Sequence, residues 1–327
     1  MSKPVIICLT PVKNEKWILD KFIQAVSLWA DYIIIADEQS NDGSKEIAKS
    51  YEKVILIDNN QKSYNESSRQ RLLISEARKI KGKKLLIALD ADEFLTANFH
   101  ASKEWEIMLN AQKGTTFTFD WVNIRPNFKK YWTISPLPFA YMDDGLEHSI
   151  EKFIHSQRIP INNNGEVVKL KDIKILHYQY VDWKRMQSKH RWYQCYELIK
   201  EPSISSILLY RKYHHMYALK NKKFKNIRDE WFSYYEENDI DMTSIEIQKS
   251  YWWDYEVQDF LEQYGEQFFK KLNIWNKVFL GKKNKDPRTW ELKLLHKYLD
   301  YTQYFRNNLP FRPFVKLIDK LLVNFGF

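Results

Sequence analysis

The segment Leu86 to Phe94, LIALDADEF, delivers two acidic residues, Asp90 and Asp92, two positions apart at the end of an apolar run. On an extended backbone, side chains at that spacing share a face. Two carboxylates side by side repel unless a cation sits between or beside them. Magnesium and manganese suit such a pair, because magnesium favours one or two carboxylates completed by phosphate oxygens and water over a full protein cage. The plainer reading is a solvated acidic turn that caps the next helix. Three further groups carry chemistry. FAYMDDGLEHSIEKF supplies Asp143, Asp144 and Glu147, carboxylates of the kind that take a proton from an attacking hydroxyl. His177 closes the run in KILHYQY and belongs to the residue type most common among protein metal ligands, while His148 and His155 are candidates for acceptor or phosphate contact. YVDWKRMQSKHRWYQCYE crowds Lys184, Arg185, Lys189, His190 and Arg191, cations able to stabilise negative charge that develops in a transition state, beside the aromatic pair Trp192 and Tyr193. A structural histidine and a solvated basic helix face are the plain alternatives for these last groups.

The elements that must position these residues follow from periodicity. Short apolar runs at Val5–Leu9, Tyr32–Ala36, Val54–Ile57 and Lys84–Leu89 read as strands. Between them lie a helical stripe from Trp17 through Ile18, Phe22, Ala25, Val26 and Trp29, a short helix after Ser44, and a further helix over Ser67–Ile80. Strands alternating with helices at this spacing predict an α/β fold, with a parallel sheet covered on both faces. Such sheets bind ligands at the carboxyl ends of their strands. The polar clusters Thr10–Glu15, Asp37–Ser44 and Asp90–Glu93 fall at those ends, so three strand ends are expected to converge on one crevice.

Further along, Thr115–Val122 and Ile173–Tyr178 read as strands and Ser135–Pro138 as a Pro-containing loop. Beyond Asp182 the pattern turns helical. A capping box at Thr243 and Glu246 predicts a helix reaching Gly265. Asp286-Pro287 predicts the start of another, with Trp290, Leu294, Leu295, Tyr298 and Phe305 on one face. A last stripe runs through Phe311, Phe314, Val315, Ile318, Leu321, Leu322 and Phe325.

PVKNE after the first strand, ADEQSNDGS after the second and LDADE after the fourth, in that order, resemble the successive signatures of glycosyltransferase family 2. The usual forms in that family, which has the GT-A fold, are P-x-x-N-E, D-D-G-S-x-D-G-[ST] and D-x-D. The resemblance covers roughly residues 1–100, and HYQ followed by R-M-x-S-K and an aromatic pair is similar to a bacterial polysaccharide-biosynthesis branch. It implies a Rossmann-like GT-A mixed, mainly parallel sheet flanked by helices. Residues 1–181 would form the catalytic domain, with 1–100 the nucleotide-binding half and 101–181 the acceptor side, and 182–327 a helical C-terminal region.

Carried onto this sequence, the resemblance implies that Pro11 and Glu15 line the base and ribose site and that Asp37 contacts the nucleobase. Asp90 binds ribose or a metal-bound water, Asp92 ligates Mn2+ or Mg2+, and His177 completes the metal or diphosphate site. Arg69, or Arg71 if the register differs, lies near the nucleotide. The base falls in the acidic loop, with Asp144 ahead of Asp143 and Glu147, and Lys189 and Arg191 reach the donor phosphates. Glu38 and Gln39 stand where Asp-Gly is usual, which leaves the base identity open. The implied activity is metal-dependent, inverting transfer from a nucleotide-sugar, a UDP-sugar favoured, to a glycan or lipid-linked glycan.

Two rival classes are weighed against this. A sugar nucleotidyltransferase opens with a Gly-rich phosphate loop, and TPVKNE holds no glycine. A nucleic-acid binder would suit the net charge of +9 and the 12 tryptophans and 20 tyrosines. It does not suit an acidic crevice at three strand ends, so no nucleic-acid partner is expected. The two cysteines, Cys8 and Cys195, suggest no disulfide framework, and with an N-terminal apolar run too short for an export signal they point to the cytoplasm. No run approaches the roughly 18–20 apolar residues that cross a bilayer. The last helical stripe, flanked by Lys316 and Lys320, is compatible with lying on the inner face of an anionic membrane, or with packing or a homo-oligomer contact.

Overall fold

Alternation along the first strand sets the layering. The computed structural model describes residues 3–61, 63–149, 152–219, 223–275, 284–308 and 310–327. In β1 (Val5–Val12), Ile6 and Cys8 turn to one side, where Trp17, Ile18, Phe22 and Val26 of α1 (Lys16–Ser27) pack on them. Ile7 and Leu9 turn to the other side, against Leu73, Ile74 and Ala77 of α3 (Glu66–Lys79). The sheet is thus buried on both faces, as near-continuous apolar strands require. β1 pairs in parallel with β2 (Tyr32–Asp37) and β4 (Lys84–Ala88), and β2 with β3 (Val54–Asp58), while α2 (Ser44–Lys49) precedes β3.

Beyond β4 the strand direction changes. β7 (Lys130–Met142) runs antiparallel to β4 and to β6 (Thr116–Ile124), which is parallel to β9 (Ile175–His177); β9 in turn holds the short β5 (Glu93–Leu95) antiparallel. The order is β3-β2-β1-β4-β7-β6-β9-β5, with β8 (Val167–Lys169) on β6 and β10 (Lys225–Asn226) on β7. The expected loop at Ser135–Pro138 is instead the middle of β7. Its prolines are accommodated because the β6–β7 register shifts between Phe117 and Thr118 and between Phe119 and Trp121. A residue without an N–H belongs where the ladder is already irregular.

Contacts group the described chain into two units, Met1–Asp182 with Lys225–Ile247, and Trp183–Phe224 with Gln248–Phe327. The helical region expected from residue 182 onward is therefore interrupted by a return to the first unit. Trp231, Phe232 and Tyr235, around α7 (Ser233–Glu236), are buried in the core that holds α4 (Lys103–Asn110) and the strands. Tyr235 donates to the Leu95 carbonyl at 2.8 Å and Tyr178 to the Met242 carbonyl at 2.7 Å. Nor does Thr243 cap a helix. Its N–H and hydroxyl both bond Asp241, and the Glu246 N–H is spent on the Trp17 carbonyl, so α8 starts only at Trp252 and ends at Tyr264 before Gly265.

The second unit is built from α5 (Trp183–Lys200), α6 (Ser206–Tyr213), α8, α9 (Trp290–Phe305) and α10 (Phe311–Asn324). α9 begins after Asp286-Pro287 rather than on it, since Asp286 caps the Arg288 N–H in a turn of its own. Buried Arg211 ties α6 to α9 and α10: it donates to both Asp319 oxygens at 2.9 and 2.8 Å, to Thr302, to Gln303 and to the Leu299 carbonyl. Cys8 and Cys195 are free and buried, and burial pushes the Cys8 thiol up to about 12.

Candidate active site

The turns after β1 and β2 are laced to each other by side chains that answer the unpaired N–H groups at the start of α1. The Asn14, Glu15 and Lys16 N–H groups donate to Ser40 Oγ, Ser44 Oγ and Asp42 Oδ2, and the Asn41 N–H returns a bond to Asn14 Oδ1. Asn14 and Gln39 take positive φ and Gly43 a φ of 100°, the left-handed geometry such tight turns demand. Glu15 accepts from the Trp17 indole at 2.5 Å, and Pro11 is buried inside β1 opposite Ala36. Asp37 is buried at the end of β2. One oxygen accepts from the Ser40 N–H and pairs with Lys45, while the other, Oδ1, has no hydrogen-bond partner among the described residues. Next to it, Glu38 receives Arg69 at 3.4 Å and Asn59 at 3.2 Å, and Arg69 lies over the Tyr64 ring; Arg71 bonds Ser68 on its own helix.

Asp90 and Asp92 do not stand on an extended backbone. β4 ends at Ala88, and the chain closes a turn in which the Glu93 N–H donates to the Asp90 carbonyl at 2.9 Å. The expectation that they lie side by side on an extended backbone is corrected accordingly. Asp90, 32% exposed, accepts from Arg158 at 2.9 Å, whereas Asp92, 3% exposed, lies with its Oδ2 3.9 Å from His177 Nε2. Glu93, fully buried, pairs with both Arg158 nitrogens and accepts from the Asp90 N–H. Burial pushes its carboxyl up to about 7; Arg158 opposes the shift, and Asp90 and Asp92 add to it. The repulsion that two acids would create is thus relieved by a cation of the chain itself. Arg158 also lies over the rings of Phe139 at 4.9 Å and Trp121 at 5.9 Å.

His177 arrives beside Asp92 through the β5–β9 ladder, in which it pairs with Glu93 while the Tyr178 N–H donates to the Asp92 carbonyl. Its ring stacks on Trp121 at 4.4 Å, and Nδ1 sits 2.8 Å from Asn123 Oδ1, which turns Nε2 to the Asp92 side. Orienting a histidine through its second nitrogen is what metal sites require. Among the described residues no group of three histidines, cysteines or acids is placed to hold a metal by itself. Asp92 and His177 suit a cation whose remaining ligands are phosphate oxygens and water.

Asp143 and Asp144 lie at the other end of the sheet. The Asp143 N–H donates to the carbonyl of Lys84, where β4 begins, and its side chain pairs with Arg78 at the end of α3 at 2.8 Å. The length of β4, Lys84 to Ala88 or roughly 13 Å, lies between Asp143 and the turn that carries Asp90. Asp144 accepts from the Tyr141 hydroxyl, from the Leu146 N–H at 2.8 Å and from Asn162 at 3.2 Å. Burial pushes its carboxyl up, but these bonds outweigh it and hold the pKa below the usual value, the reverse of what a base needs. The two acids thus sit at the end of β4 away from Asp90, each engaged with neighbouring side chains. Glu147 is exposed in the loop that follows, and His148 Nε2 is 2.6 Å from the Gln157 carbonyl. His155 takes a positive φ of 56° in the stretch that packs on the start of α3, where Ser67 bonds both Lys152 and Ser156.

In the second unit, Arg191 pairs with Asp254 at 2.7 Å and Lys189 lies 5.7 Å over Trp253. Trp192 donates to Glu256 and stacks on Tyr196, and Tyr193 stacks on Tyr213. These contacts bind helix to helix. Sequence reading singled out neither Arg158 nor Asn123. The signal for the first was Glu93, an acid inside an apolar run that must find a cation if buried; no spacing reveals that the cation lies 65 residues on.

Residues 7–159 match the family model described as glycosyl transferase family 2, which bears out over that segment the resemblance carried by the three motifs. No curated protein sequence matches the chain. Among solved structures, GalNAc-T7 with UDP, GalNAc and Mn2+ matches at 15% identity and a TM-score of 0.40, over 54% of this chain and 44% of that one, so less than half of that protein is spanned. TarS 1–349 of S. aureus matches at 10% identity and a TM-score of 0.38, over 91% of this chain and 88% of that one. HddC from Yersinia pseudotuberculosis matches at 10% identity and a TM-score of 0.31, over 54% and 93%. All three scores lie below 0.5, so functional weight rests on the family match and on the residues of the site.

Proposed function

We propose, from the match of residues 7–159 to the family model described as glycosyl transferase family 2, that this chain moves a sugar from a nucleotide-sugar donor to a glycan or lipid-linked acceptor with inversion at the anomeric carbon. The observation that carries the reading is the meeting of Asp92 and His177, 3.9 Å apart, at the end of β4. These two residues would hold Mn2+ or Mg2+, which when bound offsets the charge of the leaving diphosphate. The bond from the anomeric carbon to the diphosphate oxygen breaks, its electron pair leaves with the diphosphate, and the acceptor oxygen bonds to the opposite face as its proton passes to a base. Asn123 and Trp121 fix the His177 ring. Arg158 keeps Asp90 and Glu93 in place, and the Asp37 Oδ1 acceptor suits the N3–H of uracil or thymine, which favours a UDP- or dTDP-sugar over a CMP-sugar.

The test is a panel of UDP-, GDP-, CMP- and dTDP-sugars, read by thermal shift with and without Mn2+ and by release of nucleoside diphosphate. A ligand that binds only the native state raises the melting point. One donor is expected to do so, more with Mn2+ than without, and to be turned over. No shift and no release with any donor contradicts the proposal.

A further inference from the structure

Helix α10 has two apolar faces, and only one is packed. Val315 is buried, Leu322 and Val323 pack against Ile207, Leu295 and Leu299, and Asp319 is held by Arg211. At about 100° per residue, these positions form one arc, and Phe314, Leu317, Ile318, Leu321 and Phe325 form another turned away from it. Phe314 is 65% exposed and Phe325 78%. The strip continues onto α9: the rings of Tyr301 and Phe305 are 5.1 Å apart and those of Phe305 and Phe311 5.8 Å, and the exposed face of α9 carries Trp290, Leu294, Tyr301 and Tyr304. A continuous exposed apolar surface of this kind marks an interaction site.

Charge selects the occupant. Lys293 and Lys297 on α9 and Arg312, Lys316 and Lys320 on α10 are exposed around the apolar strip, while the exposed acids of the two helices are Glu291 and Asp300. A second copy would bring this surplus of like charge against itself. An anionic bilayer neutralises it, accepts tryptophan and tyrosine rings at headgroup depth, and takes phenylalanine and leucine at the acyl boundary. We propose that the outer faces of α9 and α10 dock on an anionic phospholipid membrane. The helices lie in its plane, since no described helix is long and apolar enough to cross. This inference stands apart from the donor chemistry.

The test is flotation of the full chain with vesicles of phosphatidylcholine alone or mixed with phosphatidylglycerol. Binding is expected only with phosphatidylglycerol present, and to weaken with salt. The triple variant Phe314→Ser, Leu321→Ser, Phe325→Ser should bind at least about tenfold less, and Lys316→Glu with Lys320→Glu about tenfold less. All five side chains point to solvent, so an unchanged melting point confirms that each variant folds. Equal binding to both vesicle types, or undiminished binding by the variants, overturns the proposal. So does a wild-type dimer in sedimentation that the triple variant abolishes while no vesicle binding occurs, which assigns the face to a second copy.

Discussion

The two units bury charge in different ways. In the first, acids collect where strands stop: Asp37 ends β2, Asp90 and Asp92 follow β4, and Glu93 opens β5. In the second, arginines are consumed in ties between helices, Arg211 to Asp319 and Arg191 to Asp254, and in the turn before α9, Arg288 to Asp286, His296 and the Trp275 carbonyl. The same residue types serve different ends because a strand aims its last side chains past the sheet edge, whereas a helix presents its flanks to neighbours. A basic run such as 184–191 is therefore weak evidence of a phosphate site, whereas an acid at a parallel strand end lies where such sheets bind their ligands.

The sharpest way to break this contrast is to remove the cation on which the acids of the first unit depend. Arg158→Ala leaves Glu93 buried without its partner and should cost about 3–5 kcal/mol in urea denaturation, with part recovered by adding Glu93→Gln. A loss under about 1 kcal/mol would show that the triad is solvated. Next in size, Asp92→Ala should lower turnover by a factor of about 10²–10³ while circular dichroism stays that of the native chain.

The second unit supplies a pH test. His296 donates from Nε2 to the Lys271 carbonyl at 3.0 Å and accepts from Arg288 at Nδ1 at 2.8 Å, so its neutral form uses both nitrogens. Burial first, and Arg288 with it, lowers its pKa to about 4, with the Lys271 carbonyl, Asp300 and Asp286 opposing. The folded unit then binds fewer protons than the unfolded chain between about pH 6.5 and 4. The share that His296 contributes is complete above that window and is lost through it, up to about 3 kcal/mol, followed by tryptophan fluorescence in urea at successive pH values. Buried His190 and His214 have lowered pKa values as well, so His296→Gln should reduce the fall rather than abolish it. The smallest effect belongs to Asp144→Asn, whose turnover should stay within about threefold of the parent; a drop of about 10² or more would restore it as the base.

Much of the first unit's fold was legible from residues. β1 to β4, α1 and α3 follow from apolar periodicity, and the three motifs fall where strands β1, β2 and β4 end. The place of the acidic loop was not legible for a physical reason: proximity in sequence says nothing of which end of the sheet a strand delivers its next residues to. Had β7 run parallel to β4, Asp143 would stand beside Asp90; running antiparallel, it carries Asp143 to Lys84. The DADE spacing misled similarly, since a turn rather than an extended backbone follows Ala88. Residues 225–247 hid their return because Trp231 and Tyr235 look like any aromatic helix face until the core they enter is known.

The central claim is that Asp92 and His177 share one divalent cation with the donor diphosphate. Titration of Mn2+ followed by electron paramagnetic resonance tests it most directly, in the presence of the nucleoside diphosphate whose sugar conjugate raises the melting point. The parent should bind Mn2+ at least about tenfold more tightly than either Asp92→Asn or His177→Gln. Equal affinity in all three would contradict the account.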